Sequence, residues 1–168
     1  MNRLIIAGTG IKFLSHFTVE FQSAIKASDC VIYLVNEPAV KKWIDDNSKK
    51  AISLNDIYFS HKSRLHAYEE VTKKIISTAK SNKLSCFVTY GHPMFLSNCT
   101  SGVIKCLKNN NIEIIKIPGI SSLDCLLCDL NVDIGERGLQ SYEATDFLLH
   151  KYQFNSYSNL ILWQIGVI

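Results

Sequence analysis

"LSCFVTYGHPMFLSN", residues 84–98, runs from an apolar segment into a turn that holds Gly, His and Pro together. Its first part, residues 84–89, is apolar on both faces, as in a strand covered on both sides of a parallel sheet. Tyr90-Gly91-His92-Pro93 then stops the strand, and a helix is expected near 99–109. Two explanations fit that turn. Gly and Pro reverse the chain and do nothing else, or the loop is the floor of a ligand site beyond the carboxyl end of a strand.

The same grammar recurs on either side. Residues 4–7 form a short apolar strand closed by Gly8-Thr9-Gly10. Residues 17–28 place Val19, Ala24, Ile25 and Ala27 at helical spacing, with Thr18 as cap. Residues 30–35 read as a second covered strand, broken by Glu37-Pro38, with a short helix over 39–45. Residues 62–80 predict a long helix with an apolar stripe of Leu65, Tyr68, Val71, Ile75 and Ile76, while Glu69, Glu70, Lys73 and Lys74 face water. A strand over 112–117 stops at Pro118-Gly119, and Ser121-Ser122 open a helix over 122–130. A helix over 142–150 and a strand over 160–166 complete the chain. Alternation of this kind predicts the α/β class, with a mostly parallel sheet and helices on both faces. The expected carboxyl ends of the strands carry Gly8-Thr9-Gly10, Tyr90-Gly91-His92-Pro93, Pro118-Gly119-Ile120-Ser121-Ser122 and Gln164-Ile165-Gly166. That distribution suits a ligand edge, and it also suits turns alone.

Composition excludes several function classes. The chain has 168 residues, 47% hydrophobic and 20% charged, with a net charge of +3. One domain with its own core is expected at this length. The lysines are scattered, so nucleic acid is not an expected partner. No signal segment is evident, and residues 159–168 are too short and too polar at Gln164 to span a bilayer. The cysteines at 30, 86, 99, 106, 125 and 128 lie mostly in apolar segments, which predicts reduced, buried thiols and a cytoplasmic location. Cys125 and Cys128 form one CxxC with too few companions for zinc, and the histidines lack ligand spacing, so no metal is expected.

Some residue types suggest chemistry. Gly8-Thr9-Gly10 begins a glycine loop, but Phe13 stands where a dinucleotide fingerprint needs its third Gly. Gly8 and Gly10 therefore suit either a tight turn or close approach by an adenosine-like ligand. Arg64 and Tyr68, four apart, share a helix face, with Tyr58 upstream. An Arg beside a phenol favours the phenolate. The plainer reading is an amphipathic helix edge with a half-buried Tyr.

Taken in order, "LIIAGTGI", "YGHPMF", "IPGISSLDCLLCDLNVD", "GLQSYEATDFLL" and "LILWQIG" resemble the tetrapyrrole-methylase-like superfamily of S-adenosylmethionine-dependent methyltransferases. The Tyr58, Arg64 and Tyr68 set, "GLQSYEA" and "LWQIG" resemble its borosin-type branch, which methylates peptide backbone nitrogens. The resemblance spans nearly the whole chain. It implies catalytic roles for Tyr58, Arg64 and Tyr68. It implies contacts to the methyl donor from Gly8, Gly10, Tyr90, Gly91, His92, Phe95, Ser122 and Gln164. Phe95 and Ser122 depart from the smaller residues usual at those positions.

The implied cofactor is S-adenosyl-L-methionine, without a metal. The implied reaction is methylation of an amide nitrogen, a poor nucleophile that needs its proton removed and its carbonyl oxygen stabilised. Tyr68 is expected as base, Arg64 as its tuner and Tyr58 as donor to the amide oxygen. Methylation of a tetrapyrrole carbon is the alternative within the superfamily, and a catalytically inert, partner-binding remnant is the alternative outside enzymology. The resemblance also implies a first domain over residues 1–168 that ends at the hinge, with the second domain absent. The expected partners are a peptide substrate supplied in trans and either a second copy or a separately encoded second domain, with neither nucleic acid nor membrane.

Overall fold

The computed structural model describes residues 1–108 and 110–167, and of Val167 the backbone alone. Asn109, the expected end of the helix after Ser97, and Ile168 lie outside the described residues. The chain divides into two compact units, Met1–Ser122 and Leu123–Ile168.

In the first unit, β1 (Asn2–Gly8), β2 (Cys30–Leu34), β3 (Ala51–Ser53), β4 (Leu84–Thr89) and β5 (Ile112–Ile117) form one sheet in the order β3-β2-β4-β1-β5. Every pairing is parallel. Side chains alternate along the central strands, and each set is buried under helices on its own face. On one face Ile5, Ala7, Val31, Tyr33, Cys86 and Val88 pack against α1 (Val19–Ala27) and α2 (Pro38–Asn47) through Phe21, Ala24, Ile25, Val40 and Ile44. On the other, Leu4, Ile6, Ile32 and Phe87 pack against α4 (Arg64–Ser81) and α5 (Asn98–Leu107) through Val71, Ile75, Ala79, Cys99 and Val103. Helices therefore cover both faces, as the apolar strands predicted.

Local chemistry sets the helix starts. The Thr18 hydroxyl accepts from Phe21 N at 3.0 Å to cap α1, and Pro38 occupies the first turn of α2. Ser97 accepts from Thr100 N at the head of α5. Several expectations need correction. Leu65 is 69% exposed and outside the apolar stripe, because the buried face of α4 runs through Ala67, Val71, Ile75 and Ala79. Val19 and Ala27 are likewise exposed, and Phe21 takes the buried place on α1. The short β3 and α3 (Asn55–Ser60) were not foreseen. Both are too brief for periodicity to register. Cys30, Cys86 and Cys99 are buried as expected, but Cys106 and Cys128 are exposed and Cys125 is half-buried.

In the second unit, α6 (Ser122–Leu130) leads to a single turn, α7 (Ile134–Arg137), capped by Asp133. β6 (Leu139–Glu143) then pairs in parallel with β7 (Asn159–Trp163), and α8 (Ala144–His150) connects them. The helix expected over 142–150 thus begins two residues later, because Tyr142 and Glu143 end a strand. Glu143 serves as its cap, accepting from Asp146 N at 2.7 Å. The last strand ends at Trp163, where Gln164 turns to a φ of +60° and a short 3₁₀ turn follows. Rings of Tyr142, Phe147 and Tyr152 pack together over this small sheet.

Candidate functional site

The carboxyl ends of β1, β4 and β5 meet backbone to backbone. Gly10 N donates to Gly91 O at 3.0 Å, and Gly91 N returns a bond to Gly10 O at 3.1 Å. These two glycines form an antiparallel bridge, with φ of +71° and +69°. A Cβ on Gly8 would lie 2.1 Å from Gly91 O, and one on Gly119 would lie 2.4 Å from the same oxygen. A Cβ on Gly10 would strike His16 Cβ at 2.3 Å. Gly8 and Gly10 thus serve an approach of loop on loop, which their sequence left open between turn and ligand. His16 fixes the β1 loop from within, its Nδ1 accepting from Ile11 N and Lys12 N. Tyr90 ties the β4 loop to it, donating from its hydroxyl to Ile11 O at 3.2 Å.

Other sequence-singled residues take definite places. His92 is half-buried, and its Nδ1 accepts from Met94 N at 3.1 Å, so the neutral ring carries its proton on Nε2. Phe95 is half-buried, and its N–H closes a turn onto His92 O. Ser122 is the first residue of α6. Gln164 lies in the second unit, directly after β7, and is described with that unit alone.

The three loops fit the implied donor in one respect that is readable here. Residues 8–11, 89–97 and 118–122 contain no Lys, Arg, Asp or Glu. A phosphate-bearing nucleotide would find no cation there. S-adenosylmethionine carries no phosphate, and an uncharged edge of backbone, Tyr90, His92, Met94 and serine hydroxyls suits an adenosine joined to a sulfonium amino acid.

Beside this ridge lies a crevice of ≈ 490 Å³ at the ends of β2 and β4. The helices after β2 and β4 lie on opposite faces of the sheet, so this is a topological switch point, where open α/β sheets bind ligands. Its walls are Leu34 at the end of β2, Val35, Asn36 and Glu37 after it, Tyr58 and Phe59 from α3, and Tyr90. The rings of Tyr58 and Tyr68 stand 5.9 Å apart, centroid to centroid. Burial first, and then the Tyr68 hydroxyl, push the Tyr58 hydroxyl above the ordinary phenol range, and Arg64 opposes this more weakly. Tyr58 is therefore held as a phenol. Tyr68 borders a second, largely apolar groove of ≈ 670 Å³ between α4 and α5. Arg64 sits in the first turn of α4, where no acidic residue offsets it. A cation there opposes the helix dipole, so helix stability does not explain its presence.

The structure thus sets Tyr58 beside Tyr68 within electrostatic reach of Arg64, places Tyr58 and Tyr90 in one crevice, and joins Gly8, Gly10 and Gly91. Sequence reasoning missed Asn36, Glu37 and Asn55. Asn36-Glu37-Pro38 follows β2 as the other loops follow their strands, but Glu37-Pro38 was read as a strand breaker alone. Among the described residues no group of three His, Cys, Asp or Glu is placed to hold a metal, and no helix is long and apolar enough to cross a membrane.

Comparison with known proteins gives a consistent result. Residues 3–152 match the family model of tetrapyrrole (corrin/porphyrin) methylases. A methyltransferase/ribosomally synthesized type I borosin cyclic peptide precursor of Coprinopsis marcescibilis is 31% identical over 166 residues, covering 99% of this chain and 42% of its own length. The methyltransferase/omphalotin A precursor of Omphalotus olearius is 32% identical over 165 residues, covering 98% of this chain and 40% of its own. The chain therefore spans about two-fifths of the length of these curated relatives. Uroporphyrin-III-C-methyltransferase of Thermus thermophilus superposes with a TM-score of 0.66 at 15% identity, covering 96% of this chain and 67% of that one. The precorrin-6Y methylase of Archaeoglobus fulgidus gives 0.63 at 18% identity, covering 95% and 72%. At such identities these structures speak for the fold alone.

Proposed function

The chain belongs to the tetrapyrrole methylase family, and from that premise we propose that it is the first part of an S-adenosylmethionine-dependent methyltransferase acting on peptide backbone nitrogen. The observation that carries this reading is the Tyr58–Tyr68 pair, within electrostatic reach of Arg64, with Tyr58 in the wall of a crevice between β2 and β4. Relatives named as methyltransferases fused to cyclic peptide precursors support the choice of a peptide. The crevice walls hold one carboxylate, Glu37, and no Lys or Arg. That lining disfavours a tetrapyrrole bearing several carboxylates.

Bound S-adenosylmethionine would supply the electrophilic methyl group, and the protein's task is then to ready the nitrogen. Tyr58, kept protonated, donates to the amide oxygen and stabilises the charge that develops there as the N–H is lost. Tyr68 enters the step as its phenolate, takes the amide proton and ends as the phenol. Arg64 favours the anionic form that the pair passes through. Gly8, Gly10, Tyr90, Gly91, His92, Phe95 and Ser122 would hold the methyl donor. In this reading the peptide arrives in trans or from the rest of a longer chain, and the assembly is a homodimer or includes a second domain.

The test is mass spectrometry of a peptide incubated with the full-length protein and S-adenosylmethionine. Wild type should add methyl groups to backbone nitrogen, and Tyr68→Phe should add none while still binding the donor. Continued methylation by Tyr68→Phe would remove Tyr68 from its role.

A further inference from the structure

The crevice carries polar groups that the tyrosine pair does not use. Asn55, the first residue of α3, is only 7% exposed. Its Nδ2 donates to Val35 O at 2.8 Å and to Asn36 Oδ1 at 3.0 Å. A backbone carbonyl can only accept, so Val35 decides which end of the Asn55 amide lies there. The second hydrogen on that nitrogen then meets Asn36, whose facing atom must be its oxygen. One carbonyl thereby orients two carboxamides in series. Asn36 is left with its NH₂ turned away from Asn55 and without a partner among the described residues.

Asn55 Oδ1 is meanwhile buried with no hydrogen-bond partner. An unsatisfied buried acceptor costs about 1–3 kcal/mol. Glu37, which follows Asn36 in the chain, precedes α2 but makes no side-chain cap bond, and it enters no ion pair among the described residues. Asn36 and Glu37 both line the crevice, with Leu34, Val35 and Phe59.

We propose that this wall reads a peptide unit of the methyl acceptor adjacent to the one methylated. Asn36 donates to its carbonyl, Glu37 accepts from its N–H, and the apolar neighbours take the flanking side chains. Asn55 is the positioning residue that aims Asn36. A peptide unit presents one acceptor and one donor a short distance apart, which matches one amide donor beside one carboxylate. An anion would be repelled by Glu37, and a cation would leave the Asn36 donor unused. The inference rests on the peptide reading above and adds the residues that select the substrate.

The experiment uses the full-length protein, a fluorescein-labelled capped hexapeptide of Ala, Val and Gly, and unlabelled S-adenosylmethionine. Peptide affinity is read by anisotropy and donor affinity by calorimetry. Asn36→Ala and Glu37→Ala should each weaken peptide binding roughly tenfold, the size of one buried hydrogen bond. Donor affinity and melting temperature should stay at wild-type values. Asn55→Ala should weaken the peptide similarly, yet add nothing in an Asn36→Ala background, a coupling that a merely structural role would not produce. The proposal is overturned if the wild type does not bind the peptide, if both wall variants bind it normally, or if they lose the donor instead. Wall-dependent binding without methyl transfer would sink the functional reading and leave this site standing. Methyl transfer with unaffected wall variants would do the reverse.

Discussion

Gly8 and Gly91 show how one missing side chain does different work at neighbouring positions. At Gly8 the constraint is contact, since any Cβ would lie 2.1 Å from a backbone oxygen that the Gly10–Gly91 bridge holds in place. At Gly91 the constraint is conformation: φ is +69°, while a Cβ would meet only Ile11 Cδ1 at 3.4 Å. Gly8→Ala should therefore cost about 3 kcal/mol by overpacking, and Gly91→Ala about 1 kcal/mol by strain. Denaturant unfolding of the two variants checks the order. Equal costs would mean that the loops are free to separate. His92 makes a related point, because the Met94 N–H fixes its tautomer and leaves Nε2–H as the donor.

At the level of elements, α4 has two ends with different purposes. Its middle buries Val71 and Ile75 against β1 and β4, and both side chains are fully inaccessible. Ile75→Ala should destabilise by about 2–4 kcal/mol through transfer and cavity terms. Leu65→Ala, at the exposed first turn, should stay within about 0.5 kcal/mol. Urea titrations with an unchanged slope would confirm the contrast, and a large loss at Leu65 would restore the stripe first expected from spacing. The first turn also holds Arg64 against the helix dipole, so its removal should spare stability even where it harms reaction. The α3–α4 pair thus presents Tyr58 and Tyr68 from a segment whose helix starts are not chosen for strength.

For the whole molecule, buried ionisable groups predict how stability responds to alkali. Burial pushes the Cys86 thiol up to about 12 and the Cys99 thiol up to about 11, from 9.0. Burial also raises Cys30, Tyr33 and Tyr58. Above pH 9 the unfolded chain releases protons that the native state keeps, so it binds fewer of them and stability falls with rising pH. Stability should be at full value below the unfolded thiol range and decline as pH climbs toward the folded values. Denaturant midpoints measured from about pH 7 to about pH 11 should show that fall, and Cys86→Ala should flatten it. A flat profile in the unmodified protein would contradict the burial of these thiols in the sheet.

The alternation of apolar runs with Gly- and Pro-bearing loops determined the α/β class, the covered parallel strands and the placing of the glycine loops at strand ends. These are local properties, written in side-chain period and turn chemistry, and residues 84–98 show one unit of a pattern that recurs along the chain. The family resemblance rested on the order of those same loops. Ala51–Ser53 escaped because three residues are too few for a period to show, and Leu139–Glu143 because its apolar residues, Leu139 and Tyr142, do not alternate. Tertiary structure alone decided that Gly8 and Gly10 enter contacts between loops, and that burial raises the Tyr58 hydroxyl. It also brought Asn55 onto Val35 and Asn36, twenty and nineteen positions away, beside a crevice. That crevice exists because β2 pairs with β4, not with β1. Strand order is a nonlocal outcome of how all the apolar faces are buried together, and no window of the sequence contains it.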